Sequence, residues 1–193
     1  GAVLNDSTLI MRRTSIHENE ASVGGAIMNR AGGTLYVINS TVADNLATSG
    51  GGIENGHNFL LNGAPAINNG GTVNVWHSTV VRAKDNNQES TNVGNLQNGT
   101  FYLANSIVDS ACSGAFSSYG GNIFKKFCQR VPGDPNDDKT GTDVIVQNTS
   151  AIGLEALANN GGPTLPEAEF LSVKVGGSSP ALVAPPQPSL AAQ

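Results

Sequence analysis

Charge is scarce in this sequence. Only 13% of its 193 residues are Asp, Glu, Lys or Arg, and ten Lys and Arg against fifteen Asp and Glu leave a net charge of −5. No basic cluster alternates with aromatics, so the footprint of a nucleic-acid-binding surface is missing. Aromatics are 5% of the chain, and purely apolar runs are far shorter than the ~18–20 residues of a membrane helix. Three histidines (His17, His57, His77) have no metal-ligand spacing, and no nucleophile elbow, phosphate loop or dinucleotide motif occurs. The sequence opens on Gly1 with no charged-then-apolar leader, as a processed product or a piece of a longer chain would.

What is abundant is glycine and asparagine, 24 and 22 residues. Both are poor in helix interiors, which excludes an all-α fold, and both accept left-handed backbone, which turns require. With charge low and the apolar share normal, the expectation is an all-β domain with many corners. Cys112 and Cys128 lie 16 positions apart without metal-type spacing. They read either as a disulfide in an exported protein, closing a loop worth about 3 kcal/mol, or as two separate buried thiols.

A repeat organises the first half. Leu9-Ile10-Met11-Arg12-Arg13-Thr14-Ser15-Ile16 aligns with Leu35 to Val42 at an offset of 26 residues, and Gly24 to Asn29 aligns with Gly50 to Asn55 at the same offset. Further copies run Val73 to Val80 and Phe101 to Val108, at offsets of 38 and 28. The long offset places an insertion around Gly56 to Ala66. Each copy reads as two short strands with corners between them. Such a unit cannot bury its apolar face alone, whereas stacked units bury it in columns, which is the logic of a parallel β-solenoid. The inward columns are expected to be Leu9/Leu35/Val73/Phe101, Met11/Val37/Val75/Leu103 and Ile16/Val42/Val80/Val108. Arg13/Asn39/His77/Asn105 should mark a corner, and Asn19/Asn45 and Asn29/Asn55/Asn69 others.

The Gly-Gly-Ala-Ile-x-Asn and Asn-Ser-Thr-Val-x-x-Asn units resemble repeats of bacterial right-handed parallel β-helix proteins, of the choice-of-anchor and polymorphic outer membrane protein-like type. In place of the latter's Phe-x-x-Asn motif stand Ile16-His17-Glu18-Asn19 and Val42-Ala43-Asp44-Asn45. Later elements fit the same pattern, among them Gly121-Asn122-Ile123, Asn160-Gly161-Gly162-Pro163-Thr164 and Gly177-Ser178-Ser179-Pro180-Ala181. The resemblance implies a right-handed parallel β-helix of about four to six coils, with a disulfide-closed C-terminal region, secreted or associated with a bacterial cell surface or outer membrane. It transfers no catalytic residues.

The expected division is coils over 1–110, a terminal capping region over 111–179 and a Pro-rich linker tail over 180–193. Gly1 to Asn5 aligns with Gly25 to Asn29, so the chain begins inside a coil, and upstream coils or another chain are expected to cover that open end. The resemblance implies that ligands are polysaccharides met on an outward face. Tyr36, Trp76 and Tyr102 fall in outward columns, as a platform for sugar rings or as a small secondary core. Catalysis on glycosides needs paired carboxylates about 5–10 Å apart, for which Glu18, Asp44 and Asp109, with Arg82 nearby, are the candidates; a lyase base would be Arg82, Lys84 or His77. Asp134, Asn136 and Asp138 alternate as in calcium loops, but Lys139 stands where an EF-hand has Gly, so a hydrated acidic loop is the competing reading and no other cofactor is implied. The expected function is a non-catalytic adhesin-like or structural surface module, glycan-binding in its sharper form; the alternative is a polysaccharide lyase or glycoside hydrolase.

Overall fold

The alternation within each repeat fixes which side chains point inward, and the register between repeats fixes what they meet. The structure is a computed structural model, and the residues it describes are 1–61, 64–68, 70–81, 84–85, 88–89, 93–95, 98–109, 112–125, 142–146, 158–159 and 171–172. Regular structure among them is strand, with no helix. The first circuit comprises β1 (Val3–Asn5), β2 (Thr8–Arg12), β3 (Ser15–His17) and β4 (Glu20–Val23). The second comprises β5 (Ile27–Asn29), β6 (Thr34–Ile38), β7 (Thr41–Ala43) and β8 (Leu46–Ser49). After β9 (Ile53–Asn55) the chain makes a hairpin, β10 (His57–Leu61) with β11 (Ala64–Asn68), and rejoins at β12 (Thr72–Trp76), β13 (Thr79–Val81) and β14 (Lys84–Asp85). Then follow β15 (Gln88–Glu89), β16 (Val93–Asn95), β17 (Thr100–Ala104), β18 (Ile107–Val108), β19 (Cys112–Gly114), β20 (Ser117–Ser118), β21 (Ile123–Phe124) and β22 (Val144–Ile145). A short antiparallel pair, β23 (Ala158–Asn159) with β24 (Leu171–Ser172), is the last described element.

Equivalent strands of successive circuits pair in parallel. Sheet A runs β1-β5-β9-β16-β19, sheet B β2-β6-β12-β17-β20, and sheet C β3-β7-β13-β18-β21-β22. Sheet D adds β4, β8 and β14, closed by antiparallel β15. Parallel stacking of this kind fits a β-solenoid. Each full circuit carries four short strands, two more than the two-strand reading of the repeat, because Ser15–His17 and Glu20–Val23 also pair with their successors. The insertion is a hairpin that extends to Asn68.

The expected inward columns are those observed. Leu9, Leu35, Val73 and Phe101 are in register, as are Met11, Val37, Val75 and Leu103, and Ile16, Val42, Val80 and Val108. From the second circuit on these side chains are almost completely buried, each contributing roughly 1.5–3 kcal/mol. Phe116 joins this core through its ring contact with Phe101.

Polar columns hold the corners. Asn5 Nδ2 donates to Asn29 Oδ1, Asn29 Nδ2 to Asn55 Oδ1 and Asn55 Nδ2 to Asn95 Oδ1, at 2.7, 2.8 and 2.9 Å. From Asn55 this buried amide ladder continues to Asn95, beyond the hairpin; Asn69, expected in this column, lies outside the described residues. Between sheets B and C a second ladder runs: the N–H groups of Thr14, Ser40 and Ser78 donate to Ser40, Ser78 and Ser106 Oγ. It ends on Asn122 Oδ1 and then Asp143 Oδ1. Asn19 N–H and Nδ2 both donate to Asn45 Oδ1 in a third.

The corner after sheet B is different. Arg13, Asn39, His77 and Asn105 have φ of 53°, 49°, 50° and 49°, and their N–H groups donate to Ile38, Trp76, Ala104 and Gly120 carbonyls. What repeats is a left-handed backbone joined through backbone bonds, so Arg and His fit where Asn is favoured.

Candidate functional site

Tyr36, Trp76 and Tyr102 lie on the outer face of sheet B, as alternation with the buried inward columns requires. One outer column reads Ile10, Tyr36, Asn74, Tyr102, Ser117. Its neighbour reads Arg12, Ile38, Trp76, Ala104, and Tyr119, two residues after Ser117, follows Ala104 through its N–H bond to the Leu103 carbonyl. The aromatics therefore zigzag along the stack, alternating columns on successive strands. Tyr36 and Trp76 meet edge to face at 5.7 Å between centroids, and Tyr102 and Tyr119 meet with tilted rings at 5.4 Å.

The rings alternate with smaller residues. Asn74 faces outward yet is only 6% exposed, with its Nδ2 donating to the Leu35 carbonyl at 3.4 Å. Tyr119 is 47% exposed and Ile10 53%, so the ridge has both covered and open sections. Tyr119 went unnoticed in the sequence because the spacing from Tyr102 to its partner Ser117 is much shorter than the earlier repeats.

The carboxylate candidates do not converge as a group. Glu18 and Asp44 occupy one corner column on adjacent circuits, both with left-handed backbone at φ 56° and 55°. Glu18 is largely exposed and lies 3.7 Å from His17 Nδ1. Asp109 is 5% exposed and sits one position away from that column, in line with Val81. It borders a second apolar cluster of Ala43, Val81, Ile107 and Ile123 on the outer side of sheet C. Lys84 opens β14 in register with Leu46, and His77 is an exposed member of the left-handed corner. Arg82, the calcium candidates Asp134, Asn136 and Asp138, and Cys128 lie outside the described residues. Among the described residues no three His, Cys, Asp or Glu gather as a metal site. Cys112 begins β19 at the edge of the core.

Among the described residues, the most perturbed ionisable group was not one of the candidates. Glu54, in the middle of β9, is in register with Met28 and Gly94 on the outer side of sheet A, and it is 0% exposed. Burial pushes its carboxyl up to about 7, against a smaller opposing pull from Ser49, whose Oγ donates to Glu54 Oε1 at 3.4 Å. His57 Nδ1 lies 3.7 Å from Oε1, and burial lowers the His57 pKa. Glu54 Oε2 and His57 Nδ1 are buried without a hydrogen-bond partner. The signal in the sequence was an acid in the place that Leu4 and Met28 hold in the two preceding copies.

Comparison with protein-family models, with curated proteins and with solved structures finds no match in any of the three.

Proposed function

We propose that this protein is a non-catalytic recognition module, secreted or displayed on a bacterial surface, that binds glycan chains along the outer face of sheet B. The observation that carries the proposal is the zigzag of Tyr36, Trp76, Tyr102 and Tyr119 on one face. Aromatic faces present apolar surface to the C–H faces of sugar rings, and an outward ridge of them has no part in the stacking core. A stack of parallel strands holds such side chains at a fixed repeat, so one extended chain can make several weak contacts at once.

The proposal includes a right-handed helix of about four to six coils, in line with the handedness of parallel crossovers and with sheets of five and six strands. It also includes a Cys112–Cys128 disulfide closing the C-terminal region. The pairing is supported by a total of two cysteines and by no free cysteine among the described residues. An oxidising compartment follows from it.

A glycan array followed by product analysis tests the proposal. Binding to a defined set of polysaccharides that are recovered intact is the expected result. Absence of binding to any glycan would overturn it, and new reducing ends or unsaturated uronates would replace it with a lyase or hydrolase. The placement of Glu18 and Asp44 in one column favours that second reading.

A further inference from the structure

We infer that Glu54 and His57 form a proton-operated latch at the base of the β10–β11 hairpin, closed when Glu54 is neutral and loosened when Glu54 ionises. The inference is independent of glycan binding. It begins with a conflict of position: Glu54 occupies an outward place in sheet A, where Leu4 is exposed, yet it is sealed from solvent. The space it fills is shaped for it. A Cβ at Gly50 or at Gly94 would collide with the Glu54 carboxyl, so glycine at those two places makes the cradle. The third wall is His57, the first residue of the hairpin, reached through Gly56 with φ of 78°.

The cradle supplies little to a negative charge. Glu54 Oε1 accepts one long bond from Ser49 Oγ, and Oε2 accepts none. A neutral carboxyl tolerates this, whereas a carboxylate with an orphan oxygen carries a large desolvation cost. The elements around it bring no second charge: β5 contributes Met28, β16 contributes Gly94, and the end of β8 contributes Ser49 and Gly50. On the neighbouring sheet, Glu20 of β4 and Lys84 of β14 belong to the Leu46 register, and Asp85 of β14 and Glu89 of β15 pair with Gln88 and Lys84 across its antiparallel edge. The titratable side chain that the structure places against Glu54 is His57, with Nδ1 3.7 Å from Oε1. With two donors too few for a metal site, proton exchange is the chemistry this pair can perform. When Glu54 loses its proton, the carboxylate gains solvation only if water enters, and the way in is at the hairpin base, where the chain pivots at Gly56.

Amide hydrogen exchange, corrected for the intrinsic effect of pH, tests the latch in the intact chain. Between pH 6 and pH 8 the protection of hairpin amides is expected to fall about tenfold or more, while amides of β6, β12 and β17 hold theirs. Glu54→Gln, which keeps the shape and removes the charge, is expected to abolish that fall. Equal pH dependence in wild type and E54Q, or a fall spread over all sheets, would overturn the inference. A carbon-13 NMR titration of Glu54 in the wild type decides independently of any variant: a midpoint near neutrality supports the latch, and an ordinary carboxylate midpoint sinks it.

Discussion

On the inner face of β2, β6, β12 and β17 every side chain is aliphatic or Phe, and equivalent positions differ only in size: Leu9, Leu35, Val73, Phe101 in one column and Met11, Val37, Val75, Leu103 in the other. The outer face of those same strands carries Ile10, Tyr36, Asn74 and Tyr102 beside Arg12, Ile38, Trp76 and Ala104. Backbone, register and hydrogen bonding are shared by the two faces, so the contrast comes from what each must satisfy. Inner positions answer to the neighbouring circuit and must close-pack. Outer positions are released from that demand, and the run of aromatics there is what the proposed recognition face rests on. Sheet A breaks this division at one place, where Glu54 is outward but buried.

The largest expected effect lies inside. Asn55→Leu removes the Nδ2 bonds to Asn95 Oδ1 and to the Gly71 and Thr100 carbonyls, strands Asn95 Oδ1, and takes from Asn29 Nδ2 its shortest acceptor, leaving it the longer bonds to the Gly33 and Thr72 carbonyls. With ~1–3 kcal/mol for each stranded buried group, denaturant unfolding should register a loss of at least about 3 kcal/mol. A change below about 1 kcal/mol on that scale would mean that the amide ladder is not what joins these circuits.

The second effect sharpens the exception. The folded state holds the Glu54 carboxyl at about 7 against an ordinary 4.5, so its contribution is complete below 4.5 and is lost as pH rises through 7. The difference is on the order of 3 kcal/mol. His57, kept neutral by burial, acts in the opposite sense and costs stability as pH falls below its ordinary 6.5. Unfolding free energies measured from pH 4.5 to 8.5 should fall toward the alkaline end in wild type, and E54Q should remove that fall while leaving the acid-side loss from His57.

Smaller effects are expected outside. Trp76→Ala forfeits the ring contact with Tyr36, about 0.5–1.5 kcal/mol beyond the burial lost with the half-buried ring, and should abolish or greatly weaken glycan binding. Unchanged binding would remove Trp76 from the recognition face. At the left-handed corner, His77→Gly relieves a φ of 50° and is expected to stabilise by up to about 1 kcal/mol. A thermal melt that moved downward would mean that the contacts of the His77 side chain outweigh the backbone strain.

Legibility in the sequence followed the same division. Inner columns repeat with one residue class, and aligning three copies was enough to put Leu35, Val37 and Val42 in the core. The left-handed corner was visible as Asn39 and Asn105, but its tolerance for Arg13 and His77 became intelligible only from backbone bonds that leave no mark on side-chain identity. Asn95 and Tyr119 were hidden by length changes, the hairpin before one and the short circuit before the other, which break a fixed offset without breaking register. Glu54 was missed for a different cause: its burial depends on Gly50 and His57, which flank it in the chain, and on Gly94, which lies 40 positions on and meets it only through the β9–β16 pairing across the insertion.

Trp76 is the sole tryptophan, so its emission reports directly on the outer face of sheet B. The most direct test of that face as a recognition surface is a fluorescence titration with the polysaccharides an array selects, on wild type and on Tyr102→Ala. A saturable change in emission is expected for wild type, weakened at least tenfold by the substitution while the melting temperature stays within a few degrees. Binding that leaves the emission unmoved, or that is as tight in Tyr102→Ala as in wild type, would contradict the account.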